Sequence, residues 1–346
     1  MDDRTPWLVC CGLVTLDVLQ VVDHVPAADE KLVAHGLDVT FGGPAANAAA
    51  TAVALGVRTR LVTAIGSGPV ADLVRAGLAD AGVDVVDLLE GEQASPAVST
   101  VLVTQATGER AVVSVNASGV RDLAALACAR AAAGLLDGAA AVLLDGHHLG
   151  AARVVAQDAR ARGVPVALDG GSWKDGLEDV LALVDHAVLS AVFRLPSDRV
   201  AGEGDRPEPG SWADLAAVAA LGPRTVARSA GARPLRWIDR SGRVDGPTPV
   251  RSVRPPDVAP GDVVDTLGAG DVLHGAFAAE LARGTTVAQA LDTAVQVASH
   301  SVRFAGARGW TTTPTTDPLT DQPHPLRKGV GSSRCGHGHR EVLTCD

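Results

Sequence analysis

"PAANAAATAVALGVRTRLVTAIGSGPVADLVRAGLADAGV", residues 44–83, reads as helix, strand and helix in succession. Its first part (44–56) is alanine-rich, with Pro44 in a first turn and Gly56 as a stop. "RLVTAIG" (60–66) is a short apolar run of strand type. "VADLVRAGLADAGV" (70–83) returns to helical spacing and stops at Gly82. The same alternation extends outward. "WLVCCGLV" (7–14), "AAVLLDG" (140–146), "VPVALDG" (164–170) and "HAVLS" (186–190) read as strands, with helical runs between them. Strand–helix alternation at this spacing predicts an α/β fold with a mostly parallel sheet covered on both faces.

Two stretches break the pattern. Residues 16–43 and 96–119 have period-two character and few helix signals, and the second carries a turn at Thr107-Gly108. They predict hairpins that leave the main layer and form a small second sheet, from about 14–43 and 96–118. From about Thr311 the pattern stops. Residues 311–346 are rich in Thr, Pro, Gly and charge and predict a poorly ordered tail after one domain over 1–310. There are no internal repeats.

The bulk numbers exclude several classes. The chain has 346 residues, 47% hydrophobic and 20% charged, with a formal net charge of −10. That charge opposes a nucleic-acid groove, which needs a basic stripe. An anionic substrate would need bases placed locally. No apolar run reaches the ~18 residues of a membrane span, and no secretory leader is read. The five Cys are odd in number and scattered, which is no disulfide framework and predicts a reducing cytoplasm. Cys335, His337, His339 and Cys345 in the tail are spaced too tightly for ordinary zinc ligation, so no metal site is expected.

The chemistry concentrates in "VDTLGAGDVLHGAF" (264–277). Gly268, Ala269 and Gly270 stand before one acid, Asp271, at the mouth of an apolar helix. A helix N-terminus offers free N–H groups and partial positive charge, and small residues let an anion reach them. An acid there repels a phosphate unless it handles a proton, which suits a general base for a substrate hydroxyl. The same acid would also serve as an ordinary helix cap. No G-x-x-x-x-G-K-[ST] and no G-x-G-x-x-G follows a strand, so neither a P-loop nor a dinucleotide fingerprint is present. A second constellation is "FGGPAANAAATAVALG", where Gly42 and Gly43 precede a helix and Asn47 lies in its first turns. Upstream, Asp17 and Asp29 offer carboxylates for vicinal hydroxyls, although Asp29 also reads as an exposed loop acid.

Together, "GGPAANAAATAVALG" early and "DTLGAGDVLHGAF" late resemble the PfkB/ribokinase family of carbohydrate kinases, over roughly residues 7–310. Within it, "GLVTLDVLQVVDHVP" and "GPVADLVRAGLADAGVDV" are most similar to ketohexokinase-type members, and "GGPAA" and "DVVDTLGAGDVLHGAFA" to sulfofructose-kinase-type members. The resemblance implies a ribokinase-like, Rossmann-type three-layer sandwich with a small β-sheet lid. It implies phosphoryl transfer from ATP to a ketose-like sugar, with Asp271 as base and the amides of Gly268, Ala269 and Gly270 as anion hole. Asp17, Gly42, Gly43 and Asn47 would hold the sugar, with Asp29, Arg110 and Asn116 near it. Arg110 would be the cation for a phosphate or sulfonate substituent. Ser190, Ser229, Gly231, Thr266, Ala298 and Gly306 would face the nucleotide. Mg²⁺ is implied with ATP, and so is a monovalent cation such as K⁺ near Asp265, since several relatives use one. A homodimer through the lid is implied as well.

The chain departs from the family in places. Ser190 and Phe193 stand at the N-x-x-E positions, Pro234 replaces a glycine, and Pro44 replaces a sugar-touching Asn of ketohexokinases. Ribokinase, nucleoside-kinase and phosphofructokinase activities remain alternatives, as does a catalytically silent sugar- or nucleotide-binding protein. A nucleoside site would want stacking aromatics, and the lid stretches offer only Phe41. A phosphosugar site would want bases, and they offer Arg110, Lys31 and His35.

Overall fold

The computed structural model describes residues 7–106, 108–115, 122–197, 207–241 and 248–311. Asn116 and the tail cluster of Cys335, His337, His339 and Cys345 lie outside them. Strand β1 (Trp7–Cys11) is buried along its whole length and sits inside a nine-stranded sheet. On one side it pairs with β4 (Arg58–Thr63) and then β5 (Asp84–Asp87). On the other side the order is β8 (Ala139–Leu144), β9 (Val166–Gly170), β10 (His186–Leu189) and β11 (Thr225–Ala230), all parallel. Strands β12 (Arg233–Asp239) and β13 (Arg251–Val253) close that edge antiparallel. A sheet buried on both faces needs apolar residues on both sides of each strand. In β1, Leu8 and Cys10 face one core while Trp7, Val9 and Cys11 face the other.

The first core is shared with helices α1 (Pro44–Ala54), α2 (Pro69–Asp80), α7 (Ala269–Ala282) and α8 (Val287–Ser301). The second is covered by α3 (Ala124–Ala132), α4 (Leu149–Ala161), α5 (Leu177–Leu181) and α6 (Trp212–Ala219). Helix α7 is buried from Val272 to Ala282, which explains its all-round apolar sequence. The alanines of α1 let it approach α7 closely. A Cβ on Gly275 would lie 2.4 Å from the carbonyl oxygen of Ala48. Gly275→Ala is therefore expected to lower stability by about 1–3 kcal/mol, because backbone must shift to admit it. A urea midpoint equal to wild type would contradict this contact.

The two hairpin-like stretches form a separate four-stranded sheet. Its members are β2 (Thr15–Val22), β3 (Gly36–Gly42), β6 (Ala97–Thr104) and β7 (Arg110–Ser114). β2 pairs antiparallel with β3 and parallel with β6, so the two hairpins join through their first strands. The strand expected over 7–14 ends at Cys11 because the chain leaves the main sheet for the lid there. Gly12 permits the crossing, since a Cβ would fall 2.1 Å from the Asp145 carboxylate. The parallel strands deliver Gly12, Asp145, Asp169 and Ser190 to one end of the sheet, where α/β folds place their sites.

Candidate functional site

A cavity of about 550 Å³ lies between the lid, the start of α1 and the start of α7. Strand alternation turns Asp17, Asp38, Thr40 and Ser99 toward it from the lid. Gly43 and Asn47 line it from α1, and Gly268 and Asp271 from α7. Gly43 has φ of 97°, and a Cβ there would meet the Leu13 carbonyl at 2.5 Å, so only glycine fits the entry into α1. Gly42 does not line the cavity. Its bare Cα gives room to the Asp17 carboxylate, which would be 1.9 Å from a Cβ.

Asp271 sits in the first turn of α7, partly buried. Asn47 Nδ2 donates to its Oδ2 at 2.7 Å. Burial pushes the Asp271 pKa up to about 7, with the Asp169 carboxyl adding to the rise and the Asn47 hydrogen bond and His274 opposing it. Behind it, His274 Nδ1 lies 2.6 Å from the Gly270 carbonyl and 3.2 Å from Asp169, and Nε2 lies 3.0 Å from the Val188 carbonyl. Acceptors at both ring nitrogens favour the protonated ring, whereas burial pulls its pKa down. Burial raises Asp169 well above the usual carboxylate range. Asp145 goes the other way. Burial alone would raise it, yet His147 and the amides of Leu13 and His147 hold it at about 2. It also accepts from Ala45 N at 3.1 Å and so pins the start of α1 to the end of β8.

The first turn of α7 suits an anion. Gly268 is left-handed at φ 71°, a Cβ on Gly270 would meet open space, and Val272 N closes the first helical turn onto the Gly268 carbonyl. The expected trio is reduced, however. The Ala269 amide is directed at the Thr266 carbonyl at 3.3 Å, which leaves Gly268 and Gly270 as the better donors.

Several expected residues lie elsewhere. Asp29 is exposed in the loop between β2 and β3 and does not reach the cavity. Arg110 shares a face of β7 with the lining residues Val112 and Ser114 but is not itself in the lining: it donates to Thr266 Oγ1 at 2.6 Å and lies 3.6 Å from Asp265. The nucleotide candidates do not share one cavity. Gly306 lines the large one, whereas Ser229 lines a smaller one of about 200 Å³ beside Arg194, Arg228, Arg233 and Arg236. Ser190 Oγ donates to the Gly171 carbonyl at 2.8 Å, Gly231 is left-handed at φ 62°, and Ala298 is buried in α8. Asp265, the residue expected near a monovalent cation, is engaged by protein donors. Its oxygens already accept from Leu267 N and Gly306 N, each at 2.8 Å, and the Arg110 guanidinium is beside it. No group of three or more His, Cys, Asp or Glu that could hold a metal occurs among the described residues.

Some residues of the site escaped the sequence reading, Arg308 first among them. Arg308 donates to Asn47 Oδ1, to Thr40 Oγ1 at 2.6 Å and to the Phe41 carbonyl at 2.7 Å. Its guanidinium stacks 3.7 Å over the Phe41 ring. It ties the lid to the amide that holds Asp271. Asp38 also went unnoticed; it reads as an ordinary strand acid until pairing with Leu19 turns it inward.

Comparison with known proteins agrees with this architecture. The family model for the pfkB family carbohydrate kinases matches residues 6–314. Mouse (Mus musculus) ketohexokinase is 30% identical over 106 residues, 31% of this chain and 36% of that protein, so this match spans about a third of the relative. Arabidopsis thaliana ribokinase is 24% identical over 309 residues, 89% of this chain and 79% of the relative. The structure of Arabidopsis thaliana ribokinase complexed with ribose and ATP superposes with a TM-score of 0.65 at 22% identity, covering 87% of this chain and 94% of that one. Escherichia coli phosphofructokinase-2 in complex with potassium gives 0.68 at 19%, covering 88% and 94%. With its parallel sheet, its small lid and a family match over residues 6–314, the chain belongs to the pfkB family of carbohydrate kinases.

Proposed function

We propose that the protein transfers the γ-phosphoryl group of ATP to a hydroxyl of a ketose-like sugar. The observation that carries this is Asp271, set in the first turn of α7 beside open amides, at the floor of a cavity walled by the lid. Asp271 takes the hydroxyl proton as the sugar oxygen bonds to the γ-phosphorus and the bond to the bridging oxygen of ADP breaks. Gly268 and Gly270 amides face the charge that develops on the phosphoryl oxygens. Asn47 fixes the orientation of the base through its 2.7 Å hydrogen bond. Asp17 and Gly43 face the sugar. Mg²⁺ fits as an ion carried by the nucleotide phosphates, which need few protein ligands, and supplies charge neutralisation there. No step is assigned to potassium.

The ketose reading rests on the stretches that resemble ketohexokinases and on the mouse ketohexokinase match. A ribokinase-type pentose is the second reading, favoured by the longer match to a ribokinase. The test is ADP release with Mg·ATP and a panel of fructose, tagatose, ribose and adenosine. Sugar-dependent ADP release is the expected result. Sugar binding without turnover would turn the protein into a silent binding module.

The working unit is assigned to residues 1–310. A lid homodimer is supported by the outer lid face, where Leu37 is 69%, Val39 45% and Val113 75% exposed. Light scattering that returns only monomer mass at working concentration would overturn it. A reducing, cytoplasmic setting fits the buried, unpaired thiols of Cys10 and Cys11. No helix among the described residues is long and apolar enough to cross a membrane.

A further inference from the structure

We infer that the sugar cavity selects a sugar bearing no phosphate or sulfonate, and that Asp38 on the lid enforces this choice; the inference rests on the kinase reading above. An anionic substituent sheds its water on entering a cavity and needs positive charge and free donors in return. This cavity offers the opposite. Its lining carries three carboxylates, Asp17, Asp38 and Asp271. Against them, Arg308 is the single Lys or Arg among the described lining residues. Three of the five N–H donors of Arg308 are already committed, to Asn47, Thr40 and the Phe41 carbonyl. Its flat face is covered by Phe41.

The other cations among the described lid residues are not in the cavity lining. Arg110 serves Thr266 and Asp265. His35 is exposed and pairs with Asp23 at 2.8 Å, and Lys31 is exposed outside the cavity. Among the described residues, a phosphorylated or sulfonated sugar would therefore meet three carboxylates against one cation that is already largely engaged. An uncharged polyol meets acceptors for its hydroxyl protons in Asp17 and Asp38, and hydroxyls in Thr15, Thr40 and Ser99. Asp38 is exposed at the open side of the cavity, on the same face of the lid as Asp17. It is the one exposed acid of the three, and its replacement disturbs no buried contact.

The experiment uses the full chain and matched pairs: fructose against fructose 6-phosphate, fructose against 6-deoxy-6-sulfofructose, and ribose against ribose 5-phosphate. Each pair is measured by Mg·ATP-dependent ADP release and by thermal stabilisation. The uncharged member is expected to exceed its charged partner at least 100-fold in kcat/KM. Asp38→Lys is expected to narrow that ratio at least tenfold by raising activity on the charged member. A charged sugar that is turned over or bound better than its parent overturns the inference and leaves the kinase reading standing. Uncharged sugars that bind without turnover uphold the inference and sink the kinase reading. A panel in which no uncharged sugar binds or reacts overturns the substrate class. An unchanged ratio in Asp38→Lys removes Asp38 from its role.

Discussion

Asp271→Asn is expected to lose about 10²–10⁴-fold in kcat while keeping its affinity for sugar and ATP and gaining heat stability. The loss follows from removing the proton acceptor while its shape stays. The gain follows from the site. Burial and the Asp169 carboxyl raise the Asp271 pKa from 3.8 to about 7. Between those values the unfolded chain has released this proton and the folded chain still holds it. Stability from this group therefore falls as pH rises from about 4 to about 7, by at most a few kcal/mol. Asn cannot ionise, so the melting temperature of the variant should pull ahead of wild type across that window and stay ahead above it. The catalytic counterpart is a wild-type kcat/KM that rises with pH through about 7 and then levels, as the base becomes ionised. The groups that face it are Asn47 from α1, Asp145 beyond β8, Asp169 on β9 and His274 on α7, with the Arg308 guanidinium as a further charged neighbour. Wild-type turnover in Asp271→Asn would remove the base assignment. A dead variant without the pH-dependent stability gap would keep the base and remove the account of its environment.

The layered fold is legible in the sequence because both periodicities are local. Alanine-rich helices with a proline start and glycine stop, and short apolar strands, each declare themselves within a few residues. The two hairpins declare themselves by failing the helical pattern. Their joining through parallel β2 and β6 is not legible, because no turn connects them and only register specifies it. The glycine turn and Asp271 are readable for the same local reason, a helix N-terminus with small residues before an acid. Asp29 misleads because a carboxylate upstream of the helix gives no sign of which way its loop runs; the structure leaves it in solvent. Arg110 misleads because its strand position says nothing about the partner it finds 156 residues later, Thr266. Asp145 and Asp169 stand near the ends of two apolar strands, and nothing in the sequence marks their partners. Their burial under Asp271 appears only when parallel strands bring their ends together.

Arg308 is the clearest case of a residue that sequence pattern cannot find, and it carries the second large effect. Its contacts reach 261 residues back to Asn47, and nothing in "FAGARGW" marks it. It is a positioning residue. By donating to Asn47 Oδ1, it fixes which end of that amide faces Asp271, so that Nδ2 is the donor to the base. By donating to Thr40 and the Phe41 carbonyl, it holds the lid strand against the site. Burial lowers its pKa, with Asp17, Asp38 and Asp271 opposing, and an arginine remains charged under such a shift. Arg308→Met keeps the apolar cover on Phe41 while removing the donors and the charge. It is expected to lose about 10–100-fold in kcat/KM, with sugar KM rising as the lid strand loosens. Its acid limb should also move to higher pH, because a positive neighbour that favours ionised Asp271 is gone. Arg308→Lys restores charge but not the forked geometry, so it should return the limb toward wild type while leaving KM raised. A structural role alone would lower stability and leave the limb where it is. An unmoved limb in Arg308→Met, with KM unchanged, would separate Arg308 from the base and leave Asn47 to orient Asp271 alone.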